Sequence, residues 1–246
     1  MDAAAAYALL AERMSKPREE NCSHCVENVD LQSVTAHHRD ALTCQPTIPL
    51  PPKAELEALS DARLLQLLLQ QQERRTNEYR RFEEGFTRFL QVAEAEGYQG
   101  LVAATTAIFA DISKTINVLE EEFRRRGGPF TALAGTARRL QELEGQKLTV
   151  TAQLHIVRHG VAVDQIRTRA CAHADEAADA DDAHVDEGGD GAQREEPKTQ
   201  LRMREATAAR LRIEELEELR AKLAALVEQI NEVLDELRCE LADLES

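Results

Sequence analysis

The spacing of residues 61–93 constrains this chain more than any other feature. Leu65, Leu68, Gln72, Arg75, Tyr79, Phe82, Phe86, Phe89 and Ala93 recur at alternating intervals of three and four. With 3.6 residues to a helical turn, they fall on one stripe of a helix. The second half of that stripe is aromatic, in a chain with 4% aromatic residues and no Trp. Large rings bury the most area per side chain, so this stretch predicts the nucleus of a core. Gln72 and Arg75 interrupt the first half, which predicts a more polar neighbour there. Gly85, between two Phe, costs about 1 kcal/mol relative to Ala in a helix interior, and it predicts the close approach of a second helix.

The same period returns three more times. Ser60 and Asp61 are an N-cap pair for the first long helix, which is expected to end near Gly97 and Gly100. A second helix over 100–126 carries Ile108, Ile112, Ile116, Leu119 and Phe123. Gly127-Gly128-Pro129 stops it, since Gly admits a left-handed cap and Pro cannot continue the helix. A third helix over 129–159 carries Phe130, Leu133, Ala137, Leu140, Leu143, Val150, Leu154 and Val157, with Gly160 as its expected end. Gly135 and Gly145 inside it again predict close packing. The last helix, 200–243, repeats Leu216, Leu219, Leu223, Leu226, Ile230, Val233 and Leu237. Val227, Leu234 and Leu241 form a second stripe beside it. A face this wide suits a bundle better than a two-stranded coiled coil. No run of β-branched and aromatic residues bounded by turns predicts a strand. The expected fold is all-α, an antiparallel bundle of three to four long helices with a disordered acidic insertion.

Composition divides the chain into four parts. Residues 1–52, with a short Ala-rich helix at 2–14 and a Pro-rich close, read as a mobile N-terminal appendage. Residues 53–163 supply helices one to three of the bundle. Residues 164–199 are acidic and of low complexity, lack apolar surface to offset ordering entropy, and predict a disordered insertion. Residues 200–246 supply the long C-terminal helix. The five Cys are odd in number and scattered, which predicts a reducing compartment. No apolar run approaches the ~20 residues that cross a bilayer. The N-terminus has neither an early positive charge nor a long apolar core, so no secretory signal is expected.

Three pieces of the chain resemble a known family. They are RRFEEGFTRFL at 80–90, ARRLQELEGQKLTVTAQL at 137–154 and INEVLDELR at 230–238, in that order. Together they resemble the required-for-excision 1-B domain family, a small eukaryotic family named for a role in DNA excision repair. The resemblance spans residues 64–161 and 202–244. It carries over no catalytic or ligand residue. It implies an accessory or scaffold protein of nuclear DNA excision repair whose partners are proteins of a repair complex.

The residues themselves offer little chemistry. There is no phosphate-binding P-loop, no G-x-S-x-G elbow, no dinucleotide glycine fingerprint and no H-E-x-x-H. The expected protein is therefore not an enzyme, with no catalytic, cofactor or metal residue. Cys22, Cys25, His37, His38 and Cys44 hold zinc-type donors, but without a second C-x2-C or an H-x3–5-H spacing. A small zinc-binding protein is thus one alternative reading, and a helical adaptor of an unrelated intracellular assembly is another. His155 and His159, four apart, are expected at the surface or rim. Arg124, Arg125 and Arg126 complement the dipole at a helix C-terminus, with a phosphate or acidic-partner site as the other reading. The net charge is −15, and more than half the surplus falls within 164–196. Duplex DNA binding rests first on neutralising phosphates, so no direct nucleic-acid contact is expected. The expected partner surface is helical and centres on Arg80, Arg81 and Glu84.

Overall fold

A computed structural model describes residues 51–92, 95–181 and 196–246. A short helix, α1 (Lys53–Ala58), leads into four long ones: α2 (Asp61–Val92), α3 (Ala95–Arg126), α4 (Phe130–Asp181) and α5 (Glu196–Glu245). No strand occurs among the described residues. Arg74 of α2 meets Asp111 of α3, Gln141 of α4 meets Asn117 of α3, and Arg139 of α4 meets Glu236 of α5. At each interface a second pairing, Glu78–Thr105, Arg138–Glu120 and Arg167–Glu205, moves forward on one helix and back on its neighbour, so successive helices are antiparallel, as the sequence predicts.

Cap residues behave as their chemistry requires. The Ser60 hydroxyl accepts a hydrogen bond from the Arg63 amide at 3.3 Å. Gly127 and Gly128 adopt φ values of 69° and 57°, the left-handed region where a Cβ is costly. Gly97 and Gly100 do not end α2. It stops at Val92, and both glycines lie in the first turns of α3.

The expected end at Gly160 is also corrected, because α4 continues to Asp181. Gly160 is a crossing point instead. Arg212 of α5 lays its chain across it, with Cδ 3.3 Å from where a Cβ would sit, and pairs with Asp164. Arg167 then pairs with Glu205 at 3.3 Å. These contacts let helix persist into what composition marks as insertion. Residues 164–181 and 196–199 are helical, and 182–195 lie outside the described residues. So do residues 1–50, with the expected helix at 2–14 and the Cys/His constellation at 22–44.

The internal glycines divide. A Cβ on Gly85 would lie 2.2 Å from Leu101 Cδ2 of α3, so the close approach expected there exists. At Gly135 and Gly145 a Cβ would meet nothing within 4 Å, and both are exposed, which corrects the expectation of close packing. Gly145→Ala should therefore stabilise the protein by about 0.5–1 kcal/mol, as a rise in the denaturant midpoint at unchanged m-value.

The predicted apolar stripes form the core. Leu65, Leu68, Phe82, Phe86, Ile112, Ile116, Leu119, Phe123, Leu140, Val233 and Leu237 are all buried. Tyr98–Arg126 is the one described stretch long and apolar enough to cross a membrane by length and composition. In the bundle its stripe packs against α2 and α4.

Candidate functional site: a polar layer between two cores

Along α2 the core changes character twice. From Leu64 to Leu68 it joins the apolar cluster at the four-helix end, with Ile116, Phe123, Leu140, Ile230 and Leu237. From Phe82 to Phe89 it joins an aromatic cluster with Tyr98, Val102 and Ala152, built by α2, α3 and α4 without α5. Between these lie Gln71, Gln72, Arg74, Arg75 and Glu78, all buried. They follow the same three-four spacing as the apolar residues on either side, so helix geometry turns them inward whatever their polarity.

Their partners come from both neighbouring helices. Arg75 donates to Ser113 Oγ of α3 at 3.0 Å and to Gln141 Oε1 of α4 at 2.8 Å. Gln72 donates to Glu144 Oε1 at 3.0 Å, and Lys147 Nζ lies 3.5 Å from the other carboxylate oxygen. Lys147 also sits 3.8 Å above the Tyr79 ring, a cation–π contact. On the α3 side, Arg74 pairs with Asp111 at 2.8 Å, and Thr105 donates to Glu78 at 2.9 Å. Burial pushes the pKa values of Arg75 and Lys147 down, while the Glu144 carboxylate opposes that shift at both. Buried ion pairs of this kind add little net stability but penalise misaligned packing. Sliding α2 by one turn would place Arg75 against an apolar surface.

A second polar node lies within the aromatic cluster. His155 is fully buried, which corrects the surface position expected for it. Its ring stacks on Phe86 with centroids 3.8 Å apart and planes 5° from parallel. Nε2 lies 3.1 Å from Glu83 Oε2, and Nδ1 lies 2.9 Å from the Tyr98 hydroxyl. Burial raises the Glu83 pKa, but hydrogen bonds from His155 and Arg158 outweigh it and leave the carboxyl below its ordinary value. Burial holds the imidazole pKa down, against Glu83. An ionised Glu83 accepts from Nε2–H, so Nδ1 of the neutral ring accepts from the Tyr98 O–H. This is the connectivity of a proton relay, yet Tyr98 is only 2% exposed and its proton is spent on the imidazole. What the arrangement does is fasten α2, α3 and α4 at one point. His159 is half-buried, its ring 5.5 Å from that of Phe89. Among the described residues no group of His, Cys, Asp and Glu is placed to hold a metal.

The triple arginine pairs with the bundle's own carboxylates, Arg124 and Arg125 from exposed positions and Arg126 from a half-buried one. Arg124 pairs with Glu120, and Arg125 with Glu122 at 2.7 Å. Arg126 pairs with Glu122 at 2.8 Å and with Asp61, and donates to the Leu59 carbonyl at 2.9 Å. Hydrogen bonding from Arg125 leads the shift that holds the Glu122 pKa at about 2, with burial opposing and Arg126 adding to it. Arg126 thus secures the end of α1 to the bundle.

The expected partner residues behave differently from one another. Arg80 and Glu84 are exposed on the outer face of α2, where Arg80 donates to Asn77 Oδ1 at 3.2 Å. Arg81 is half-buried and donates to Glu78 at 3.3 Å, so it belongs to the edge of the polar layer. Sequence reasoning singled out Gln72 and Arg75 as interruptions but gave Glu83, Tyr98, Glu144 and His155 no joint role. No local sequence signal pairs them, because each partner lies on a different helix.

Fold and site together define an all-α bundle whose helices are tied by internal polar pairing. Residues 63–158 match the family model described as DNA repair REX1-B, the family that the sequence motifs resemble. The matched span covers the polar layer, the His155 node and the triple arginine. The closing helix, which the resemblance also includes, lies outside it. No curated protein and no solved structure matches the chain. The family match supports a role in DNA repair.

Proposed function

We propose that the protein is a non-enzymatic helical scaffold of nuclear DNA excision repair that works by presenting helix surfaces to other proteins. The observation that carries the reading is the outer face of α2. Arg80 and Glu84 stand exposed one turn apart there, within the matched span and over the junction of the polar layer with the aromatic cluster. A charged pair on a regular helix suits recognition, because the backbone that carries it is ordered before binding. The net charge of −15 disfavours a grip on the phosphate backbone and favours protein partners.

The test is affinity capture from nuclei of cells carrying DNA damage. The wild-type protein should bring down repair proteins. The charge-swapped Arg80→Glu/Glu84→Arg variant should lose most of that capture while its unfolding free energy stays within about 0.5 kcal/mol of wild type, as is usual for surface changes. Capture of no repair protein, together with normal lesion removal in cells lacking the gene, would reject the proposal.

A further inference from the structure

The seam of α5 that packs on α4 runs through Leu216, Leu223, Leu226 and Ile230. A second seam on the same helix has no covering helix among the described residues. It runs Arg210, Ile213, Glu217, Arg220, Ala224 and Val227, in unbroken three-four alternation, with Glu228 beside its end. Ile213 is 48% exposed and Val227 38% exposed, unusual for branched aliphatics at heptad positions. Arg220, Leu223, Ala224, Val227, Glu228 and Asn231 line a shallow groove along it. The N-terminal half of the seam offers a half-exposed Ile213 at the edge of a hollow shared with Val161, Gln165 and Thr168 of α4, and the C-terminal half offers a recess over a small Ala.

The order of charges selects the occupant. Reading along the seam gives positive Arg210, apolar Ile213, negative Glu217, positive Arg220, small Ala224, then apolar Val227 with negative Glu228. Reversed end for end, the central positions meet their complements, while Arg210 comes opposite Val227 with Glu228 next to it. With a two-fold axis between Glu218 and Leu219, Ile213 of one copy comes opposite Ala224 of the other. Glu217 then faces Arg220, and Arg210 comes beside Glu228. A parallel pairing would instead set Arg210 against Arg210 and Glu217 against Glu217. We propose that this seam is a homodimer interface, occupied by the same seam of a second copy running antiparallel. Such an interface is isologous and closes after two subunits. Arg210 already pairs with Glu214 at 3.0 Å, but that exposed contact is weak and can be shared. The seam spans about 28 Å, at ~1.5 Å per residue. An interface of this length with charges at its rim is modest in affinity and weakened by salt.

Sedimentation velocity on the full chain, in reductant to keep Cys239 free, tests the proposal. The mass should rise with concentration from 27.4 kDa towards twice that value, and less so at high salt. Ile213→Glu should weaken dimerisation by at least about 10-fold, the factor that accompanies ~1.4 kcal/mol. Glu217→Arg and Arg220→Glu should each weaken it several-fold. Both reversals in one chain re-create the pairing and should restore it, a recovery that damage to the fold could not produce. Circular dichroism should show unchanged helix content throughout. A monomer at all concentrations up to several hundred micromolar overturns the proposal. So does a dimer indifferent to these substitutions.

Discussion

Replacing Phe86 by Ala should lower the unfolding free energy by about 3–5 kcal/mol. Phe86 is fully buried, and three residues from two other helices lean on it. The His155 ring stacks on one face at 3.8 Å, the Arg158 guanidinium lies 4.8 Å from its centroid, and Tyr98 tilts against it at 5.4 Å. Truncation removes apolar transfer energy and leaves a cavity beside His155 and Tyr98, the rings on which Phe82 and Phe89 also pack. It also loosens the imidazole that links Glu83 to Tyr98, so a hydrogen-bonded node suffers with the packing. Denaturant unfolding gives the magnitude. Amide exchange should place the loss at the aromatic end, over residues 82–90 and 148–158, with smaller change at the four-helix end. Melting that barely moves would mean that the buried face of α2 is assigned wrongly.

The second large effect is expected at Glu144. Glu144→Leu should cost about 3–5 kcal/mol, the usual penalty for stranding a buried charge. Arg75 would lose the carboxylate that offsets its burial, and Gln72 and Lys147 would lose their acceptor. Arg75→Met/Glu144→Leu should be markedly less damaging than the two single changes added together, since the apolar pair no longer leaves the Arg75 charge buried without Glu144, although Gln72 and Lys147 still lose their acceptor. The coupling energy from that double-mutant cycle measures how far the polar layer acts as one unit. A Glu144→Leu cost below about 1 kcal/mol would show that the layer is a row of independent contacts. If the layer fixes register, the double variant should remain stable while its side-chain resonances near α2 and α4 broaden.

These two sites also show how much could be read before the coordinates. The burial of Phe86 follows from periodicity alone, because a ring at that interval among other rings has one economical place to go. Arg75 was legible as an inward-facing anomaly on the same grounds. Its partners were not, because Ser113, Gln141 and Glu144 sit in two other helices and look like ordinary polar residues there. His155 was misread for a related reason. A histidine among Leu154, Ile156 and Val157 reads as a boundary residue unless Glu83 and Tyr98 are known to reach it. Gly160 was misread as a stop because its role, giving passage to Arg212, depends on a helix some fifty residues away.

The sequence by itself determined that the chain forms long helices, which face of each turns inward, and where caps such as Ser60 and Gly127 begin and end them. Those properties are local, set by 3.6 residues per turn and by the conformations each residue tolerates. Only the tertiary structure decided which inward polar residue meets which, and that a polar layer divides two apolar cores. The same holds for α5, where it left one seam covered by α4 and the other open. Periodicity names a face but not its neighbour, and pairing energies exist only once two helices have been brought together at a fixed height.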